Sequence, residues 1–533
     1  MEAKKYQAFW RGAIILTIAS FVTKVLSAFY RIPYQNIAGD VGFYIYQQIY
    51  PFYGFCLILA TYGFPIIISK MVAERLERGK QKEAEEIICV SFWFLLGIGF
   101  IGFFTLFFGA KTIASAMGDI HLDKLLRVIS FSFLLMPFLS VARGYFQGFN
   151  NMMPTAVSQV IEQTIRVSII VFLSLFLIAH GFDLYTVGAG AMLGSIAGGL
   201  IGIIVLLLYM RHDFHAIFFK SWKGIGNKKR IVRILFWQGL AICVSNLVLI
   251  FIQMADSISL YTLLIRAGEQ VENAKVLKGV YDRSIPLMQL GTVMTTSFSL
   301  SLIPIITAAK ERGDLSFIQE KVKLAMKITF VIGFAAAIGL TCIIQPTNIM
   351  LFENSDGSDV LSILSLSILF SSLSITTASI LQGVGQTLKP AIFVVFGGCL
   401  KLVLNYILMP YFGVKGAAIA TLVALIVIAL LNSVLLMRAV SEPLIDRRNM
   451  LGVAISGIGM GFVLIIFMRM LRMSGLVIDT GHRGIATLEA LLGVAIGGLA
   501  YMFLILKLRV FTKEELGTVM KQEKKEGSLK KSG

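Results

Sequence analysis

Charge is scarce in this chain. Only 15% of its 533 residues are Asp, Glu, Lys or Arg, while 57% are hydrophobic; soluble domains carry about 25% and 45–50%. An ordinary water-soluble fold is excluded, because so apolar a chain must bury its surface against lipid as well as against itself. Cysteine is equally thin. Cys56, Cys89, Cys243, Cys342 and Cys399 stand singly in apolar segments with no pair at metal or disulfide spacing, so they read as small core residues. Of the five histidines, His212 and His215 are three apart, but no further Cys or His completes a ligand set. No metal and no cofactor are expected. The strict apolar/polar alternation of a membrane β-barrel is absent, which leaves helices as the way to satisfy the backbone in lipid. A cleavable signal peptide is not expected either: the first apolar segment is long, contains Lys24 and lacks a small-residue cleavage site. No sizeable outer loop carries a nucleophile–base set, which argues against a glycan polymerase or ligase and against an enzyme in general.

What is abundant is long apolar runs. Runs of 18 or more residues recur along the whole chain, the length that crosses a ~30 Å hydrocarbon core. They predict an all-α polytopic membrane protein with about fourteen spans, the first over residues 12–37. The net charge of +18 sits between the spans. It therefore reads as a topology signal rather than a nucleic-acid surface. Lys70, Arg75, Arg78, Lys80 and Lys82 crowd the second–third loop, and Lys310, Arg312, Lys321 and Lys323 the eighth–ninth, whereas 38–43, 180–186 and 347–359 carry no Lys or Arg. Both termini are expected in the cytosol of a cell whose plasma membrane the chain crosses many times.

The spans repeat. Tyr46-x4-Pro51 followed by Pro65-Ile66-Ile67 is echoed by Tyr281-x4-Pro286 followed by Pro304-Ile305-Ile306. Gln147-Gly148 leads through Pro154 to Arg166, and Gln382-Gly383 through Pro390 to Lys401, at the same interval. These echoes predict a six-helix N-lobe over 1–210, a cytoplasmic linker over 211–233 and a six-helix C-lobe over 234–437. Two further helices follow over 438–506, then a basic tail over 507–533. Substrate sites of such transporters form between the repeats.

Ionisable residues within spans are costly and mark functional positions. Thr17, Ser20, Lys24, Ser27 and Arg31 recur at three- and four-residue steps, one polar stripe on a helix. Lys24 is too deep to snorkel and belongs in a cavity; for Arg31, snorkelling to the headgroups competes with a cavity place. Gln159, Glu162, Gln163 and Arg166 form a second stripe, where Glu162 and Arg166 are spaced to pair. Arg143 falls near an interface, where snorkelling competes with substrate binding. Asp256 serves either a coupling H+ or Na+ or the neutralisation of a cavity cation, and Lys401 faces the interior of the C-lobe. Arg266, Asp282 and Arg283 read as solvated loop charges. Lys24, Arg31, Arg166 and Lys401 outnumber Glu162 and Asp256, and surplus positive charge suits a phosphate-bearing ligand. The candidate substrate-binding set is thus Lys24, Arg31, Arg143, Arg166 and Lys401, with Glu162 and Asp256 as coupling candidates.

The stretches GFYIYQQIYPFYGFCLILATYGFPIIISKMVAE and LQGVGQTLKPAIFVVFGGCLKLVLNYILMPYFGVKGAAIAT resemble the two lobes of stage V sporulation protein B-like proteins. These lie within the multidrug/oligosaccharidyl-lipid/polysaccharide exporter superfamily, which also holds the MurJ-type lipid II flippases. The resemblance implies two lobes around a central cavity, alternating access, and export of an undecaprenyl-diphosphate-linked sugar by a monomer among membrane lipids. Lys24 is similar to a basic position of the flippases' first span, and Arg31 falls near a second. Their arginine after the second-span proline is replaced by Phe55. A cation-coupled multidrug exporter on the same fold is the alternative.

Overall fold

The computed structural model describes residues 2–210, 228–473 and 482–511, and among these every regular element is helical. Residues 211–227 of the expected linker, with Arg211, His212, His215, Lys220 and Lys223, lie outside the described residues, as does the tail beyond 511. Twelve helical stretches are long and apolar enough to cross a membrane. One of them, Ile15–Glu77, runs 63 residues, about 95 Å of helix, so it makes two passes. A further helix, Ser284–Glu311, has 28 residues and the length to cross as well. The pattern agrees approximately with the fourteen spans expected, and the protein is a multi-pass membrane protein.

The first lobe comprises α1 (Glu2–Phe29), α2 (Arg31–Ile58), α3 (Phe64–Glu77), α4 (Gln81–Ala116), α5 (Asp123–Ser130), α6 (Ser132–Gly148), α7 (Met153–Ala179) and α8 (Leu184–Tyr209). The expected first span over 12–37 is corrected here: the straight helix ends at Phe29. Pro33 offers no N–H and its ring clashes with the carbonyl four residues back, that of Phe29. Gly39, at φ +68°, then breaks α2 a second time. Between α2 and α3 the chain widens into a π turn, Leu59–Gly63. Pro65 follows at the head of α3 and cannot donate to Thr61. A π turn next to a proline leaves carbonyls free, and such turns cluster at functional positions.

The second lobe comprises α9 (Lys228–Ile234), α10 (Leu240–Ser245), α11 (Val248–Arg266), α12 (Val271–Asp282), α13 (Ser284–Glu311), α14 (Leu315–Cys342), α15 (Ile344–Phe352), α16 (Ser358–Gly383), α17 (Leu388–Phe412) and α18 (Val414–Val440). α9 and α10 are likewise joined by a π turn, Leu235–Gly239. The last pair, α19 (Arg447–Met473) and α20 (Arg483–Lys507), packs on α14, with Tyr501 Oη donating to the Val331 carbonyl at 2.9 Å. Outward faces such as Phe100, Phe104 and Phe108 on α4 are exposed aromatic ladders, the surface a lipid-facing helix needs.

One packing detail fixes the site. Gly190, Gly194, Gly198 and Gly202 recur every four residues along α8 and let α7 approach closely. A Cβ on Gly198 would lie 2.7 Å from the Glu162 carbonyl oxygen, and one on Gly194 2.9 Å from that of Arg166. Asp183 starts α8 by accepting from the Tyr185 and Thr186 amides. The stretch of α7 that carries Glu162 and Arg166 is thus clamped from behind.

Candidate functional site

A central cavity of about 210 Å³ opens between the lobes. α1 contributes Thr23, Lys24 and Ser27, the π turn contributes Thr61 and Tyr62, and α2, α6, α7, α10, α11, α13 and α16 supply the rest of the wall. Lys24 and Ser27 of the stripe read on the first span therefore face the cavity. Lys24 is partly exposed to that space, its Nζ 5.6 Å from the Tyr62 ring centroid. No carboxylate pairs with it among the described residues.

Glu162 does not pair with Arg166. It accepts from Arg143 Nη2 at 2.5 Å, and both side chains are buried. The helical spacing of Glu162 and Arg166 permits a bond along α7, but Arg143 on α6 arrives from across the helix crossing. Arg143 also donates to Thr61 Oγ1 at 3.0 Å and to the Ala60 carbonyl at 3.5 Å, atoms presented by the π turn. Snorkelling of Arg143 is thereby corrected: its guanidinium is fully buried, because the π turn and Glu162 supply the acceptors that water would have offered. Arg143 and Glu162 both border the cavity and cancel each other's charge there.

Arg31 and Arg166 enter a box of tyrosines instead. Arg31 is fully buried and does not snorkel; the break after Phe29 turns it inward. Its Nη1 donates to the Ser27 carbonyl at 2.8 Å and to Gln289 Oε1 at 2.5 Å, and its guanidinium stands 4.3 Å from the Tyr50 ring. Arg166 donates to Gln163 Oε1 at 3.2 Å and Tyr30 Oη at 3.0 Å, and lies 4.4 Å from the Tyr53 ring. Arg31 Nε and Nη2 and Arg166 Nε find no acceptor among the described residues. Two buried cations thus share aromatic faces without a carboxylate between them. Arg31 and Arg166 stand behind the cavity wall, which is formed in part by Ser27, Tyr50, Gln163 and Gln289.

The second lobe gathers its charges differently. Lys401 Nζ lies 2.9 Å from Asp256 Oδ1 and 2.5 Å from the Ala417 carbonyl, with both side chains buried. Asn405 donates to Asp256 Oδ1 at 3.1 Å, and Tyr281 to Oδ2 at 3.0 Å. Lys401 is therefore turned into its own lobe and does not border the central cavity. Asp282 and Arg283 are not solvated loop charges. Lys278 grips Asp282 at 2.6 and 2.7 Å in a buried pair, and Arg283, fully buried, reaches Asp40 of the first lobe at 2.6 Å. The reason is that α12 folds inward against α2 rather than lying in solvent. Gln48 adds a second bridge between the lobes, donating to the Ser257 carbonyl at 2.9 Å.

This architecture has known counterparts. A model of the family described as polysaccharide biosynthesis protein matches residues 9–310. The chain belongs to the polysaccharide biosynthesis protein family. Among relatives from Bacillus subtilis (strain 168), an uncharacterized membrane protein, YabM, is 42% identical over 96% of this chain and 94% of its own length. The lipid II flippase MurJ is 26% identical over 92% and 94%, and stage V sporulation protein B 25% over 80% and 83%. Among solved structures, a lipid II flippase MurJ in an inward closed conformation shares the fold at a TM-score of 0.69 and 15% identity, covering 93% of this chain and 99% of that one. An inward-facing multidrug resistance transporter of the MATE family of the MOP superfamily does so at 0.65 and 16%, over 80% and 98%.

For this member of the polysaccharide biosynthesis family, the sequence stripes located Lys24, Gln159, Glu162 and Gln163 on the cavity. They missed the tyrosine box, Asp40 and Gln289. A signal for the box existed: Tyr46, Tyr50 and Tyr53 are spaced by four and three, one face of a helix. No local signal links Arg143 to Glu162 or Asp40 to Arg283, because these partners come from different helices.

Proposed function

We propose that the protein is a flippase that moves an undecaprenyl-diphosphate-linked sugar or peptidoglycan precursor across the cytoplasmic membrane by alternating access, with both termini in the cytosol. The observation that carries this reading is Lys24, an ammonium open to the central cavity with no carboxylate among the described residues to neutralise it. It is backed by two buried guanidiniums that likewise lack one. Such a site attracts an anion and repels a cationic drug. Lys24 takes the diphosphate directly. Arg31 and Arg166 supply positive potential through the tyrosine wall, and Arg31 becomes a direct ligand if α1 moves. Arg143 contributes through its place on the wall while Glu162 holds it. Asp256 remains the candidate for a coupling H+ or Na+, in exchange with the Lys401 ammonium. Transport of the anion outward is aided by about 2.3 kcal/mol per charge per 100 mV of a negative-inside potential.

The test is flipping of a fluorescent lipid-diphosphate-linked sugar by protein reconstituted in vesicles. Lys24→Ala is expected to slow flipping at least about 10-fold, the worth of a lost charge-assisted hydrogen bond, with abundance unchanged. Lys24→Arg keeps the charge and retains part of the rate. Full flipping by an abundant Lys24→Ala protein, or extrusion of organic cations by the wild type, overturns the reading.

A further inference from the structure

The cavity wall holds a feature that charge does not account for. Five carboxamides converge on it: Gln159 and Gln163 from α7, Asn246 from the turn after α10, Gln253 from α11 and Gln289 from α13. Gln159 and Gln163 are four apart on one face of α7, and Asn246 and Gln253 are seven apart along the adjoining helices. These positions belong to both lobes. Gln159 Oε1, Gln163 Nε2 and Gln253 Oε1 have no hydrogen-bond partner among the described residues. The other end of Gln163 is fixed by Arg166 and that of Gln289 by Arg31, at 3.2 and 2.5 Å. Each arginine thus orients one carboxamide with its oxygen engaged and its NH2 left over. Orphaned amide atoms in a buried wall are costly unless a ligand meets them.

We propose that this carboxamide belt is the subsite for the sugar of the transported lipid, and that it selects a neutral sugar bearing hydroxyl or acetamido groups over an acidic one. The proposal rests on the flippase reading above and assigns the part of the substrate that Lys24 does not hold. A carboxamide presents donor and acceptor together, which matches a hydroxyl or an acetamido group, each of which also does both. A uronic acid needs a cation instead. Of the cations bordering the cavity among the described residues, Arg143 is spent on Glu162, and Lys24 is taken by the diphosphate. Glu162, its charge met by Arg143, also does not repel the sugar.

Purified protein in nanodiscs is titrated with three probes: farnesyl diphosphate, farnesyl-diphosphate-linked N-acetylglucosamine, and the same diphosphate carrying glucuronic acid. The wild type is expected to bind the N-acetylglucosamine probe more tightly than farnesyl diphosphate, and the glucuronic acid probe no more tightly. Gln253→Leu and Gln159→Leu should each cut the ratio of those first two affinities about 3- to 10-fold, one neutral hydrogen bond apiece. Gln253→Asn should restore part of it, which a mere packing defect would not allow, and thermal unfolding of each variant confirms that it is folded. Lys24→Ala should weaken all three probes alike. If farnesyl diphosphate binds but the sugar adds nothing, or the ratio survives both leucine variants, the belt is not a sugar subsite although the flippase reading stands. If the glucuronic acid probe binds tightest, the selectivity is refuted. If no diphosphate binds at all, the flippase reading fails and the belt proposal with it.

Discussion

The two lobes place their buried cations under opposite rules. In the second, Lys401 has Asp256, Lys278 has Asp282, and Arg283 reaches Asp40 across the interface. In the first, among the described deep cations, Arg143 alone meets a carboxylate, that of Glu162. Lys24, Arg31 and Arg166 stand without one among the described residues, each over a tyrosine ring. Buried charge without a counter-charge is expensive, so an arrangement that tolerates it on one side alone points to a ligand on that side. On the proposed flippase function, the anion falls to the first lobe, whose deep cations are the ones short of carboxylates among the described residues. The carboxamides drawn from both lobes are then the contacts able to report closure onto the substrate.

This asymmetry can be broken most forcefully at Lys401. Lys401→Met leaves Asp256 buried without its ammonium and is expected to cost about 3–5 kcal/mol of stability. Adding Asp256→Asn to it should recover most of that loss. Lys24→Ala, which strands no partner, should stay within about 0.5 kcal/mol of wild type. Unfolding in mixed detergent micelles, followed for the three variants, checks all three values; a Lys24→Ala loss as large as that of Lys401→Met would erase the contrast between the lobes.

A smaller effect is expected at Glu162. In Glu162→Gln, Arg143 keeps Thr61 Oγ1 and the Ala60 carbonyl, so the cost should fall to about 2–3 kcal/mol, the scale of a hydrogen bond to a charged group. The same change frees Arg143 toward the cavity. Binding of a diphosphate probe should therefore tighten while stability drops, and the two readouts moving together in the same direction would show that Arg143 is not a latent ligand. Tyr53→Leu, which removes the ring nearest Arg166, should cost about 1–2 kcal/mol and weaken probe binding only slightly, because Arg166 keeps Tyr30 and Gln163.

Much of this was legible in the sequence, for a physical reason. Lipid imposes helices of a set length, so apolar runs announce the passes, and a cation in mid-run such as Lys24 announces a cavity. Helical stripes also place Gln159, Glu162 and Gln163 on a common face before any fold is known. The partners were not legible, because periodicity describes one helix at a time. Glu162 has an arginine four residues away along α7 and bonds to one from α6 instead, a choice made by the α7–α8 glycine contact and the π turn before Pro65. Tyrosines read as apolar filler until Arg31 and Arg166 are seen against them. Asp40 and Arg283 lie in segments that look like loops, and only the inward fold of α12 shows them buried together.

A modest effect on stability is expected at an ion pair that joins the lobes. Arg283 donates to Asp40 through Nε at 2.9 Å and Nη2 at 2.6 Å, but it also reaches Asn354 Oδ1 at 2.7 Å and Asn348 Oδ1 at 3.2 Å. Asp40 keeps some contact with solvent and is held by Gln35 at 2.9 Å. Asp40→Asn therefore removes charge without stranding the guanidinium, and should lower stability by about 1 kcal/mol. Its consequence lies in the balance of conformations. In the proposed alternating-access cycle this end of the interface separates, and weakening its charged bridge by about 1 kcal/mol should raise the separated population roughly 5-fold. Spin labels on Val41 and Glu272, one on each side of the bridge, would report this as a longer distance distribution in Asp40→Asn than in wild type. The intralobe pair Lys278–Asp282 supplies the control. Asp282→Asn should cost more stability, because that pair is buried on both sides, yet leave the label distances where they were. Equal lengthening in both variants would mean that the bridge is ordinary packing between lobes rather than the contact that opens.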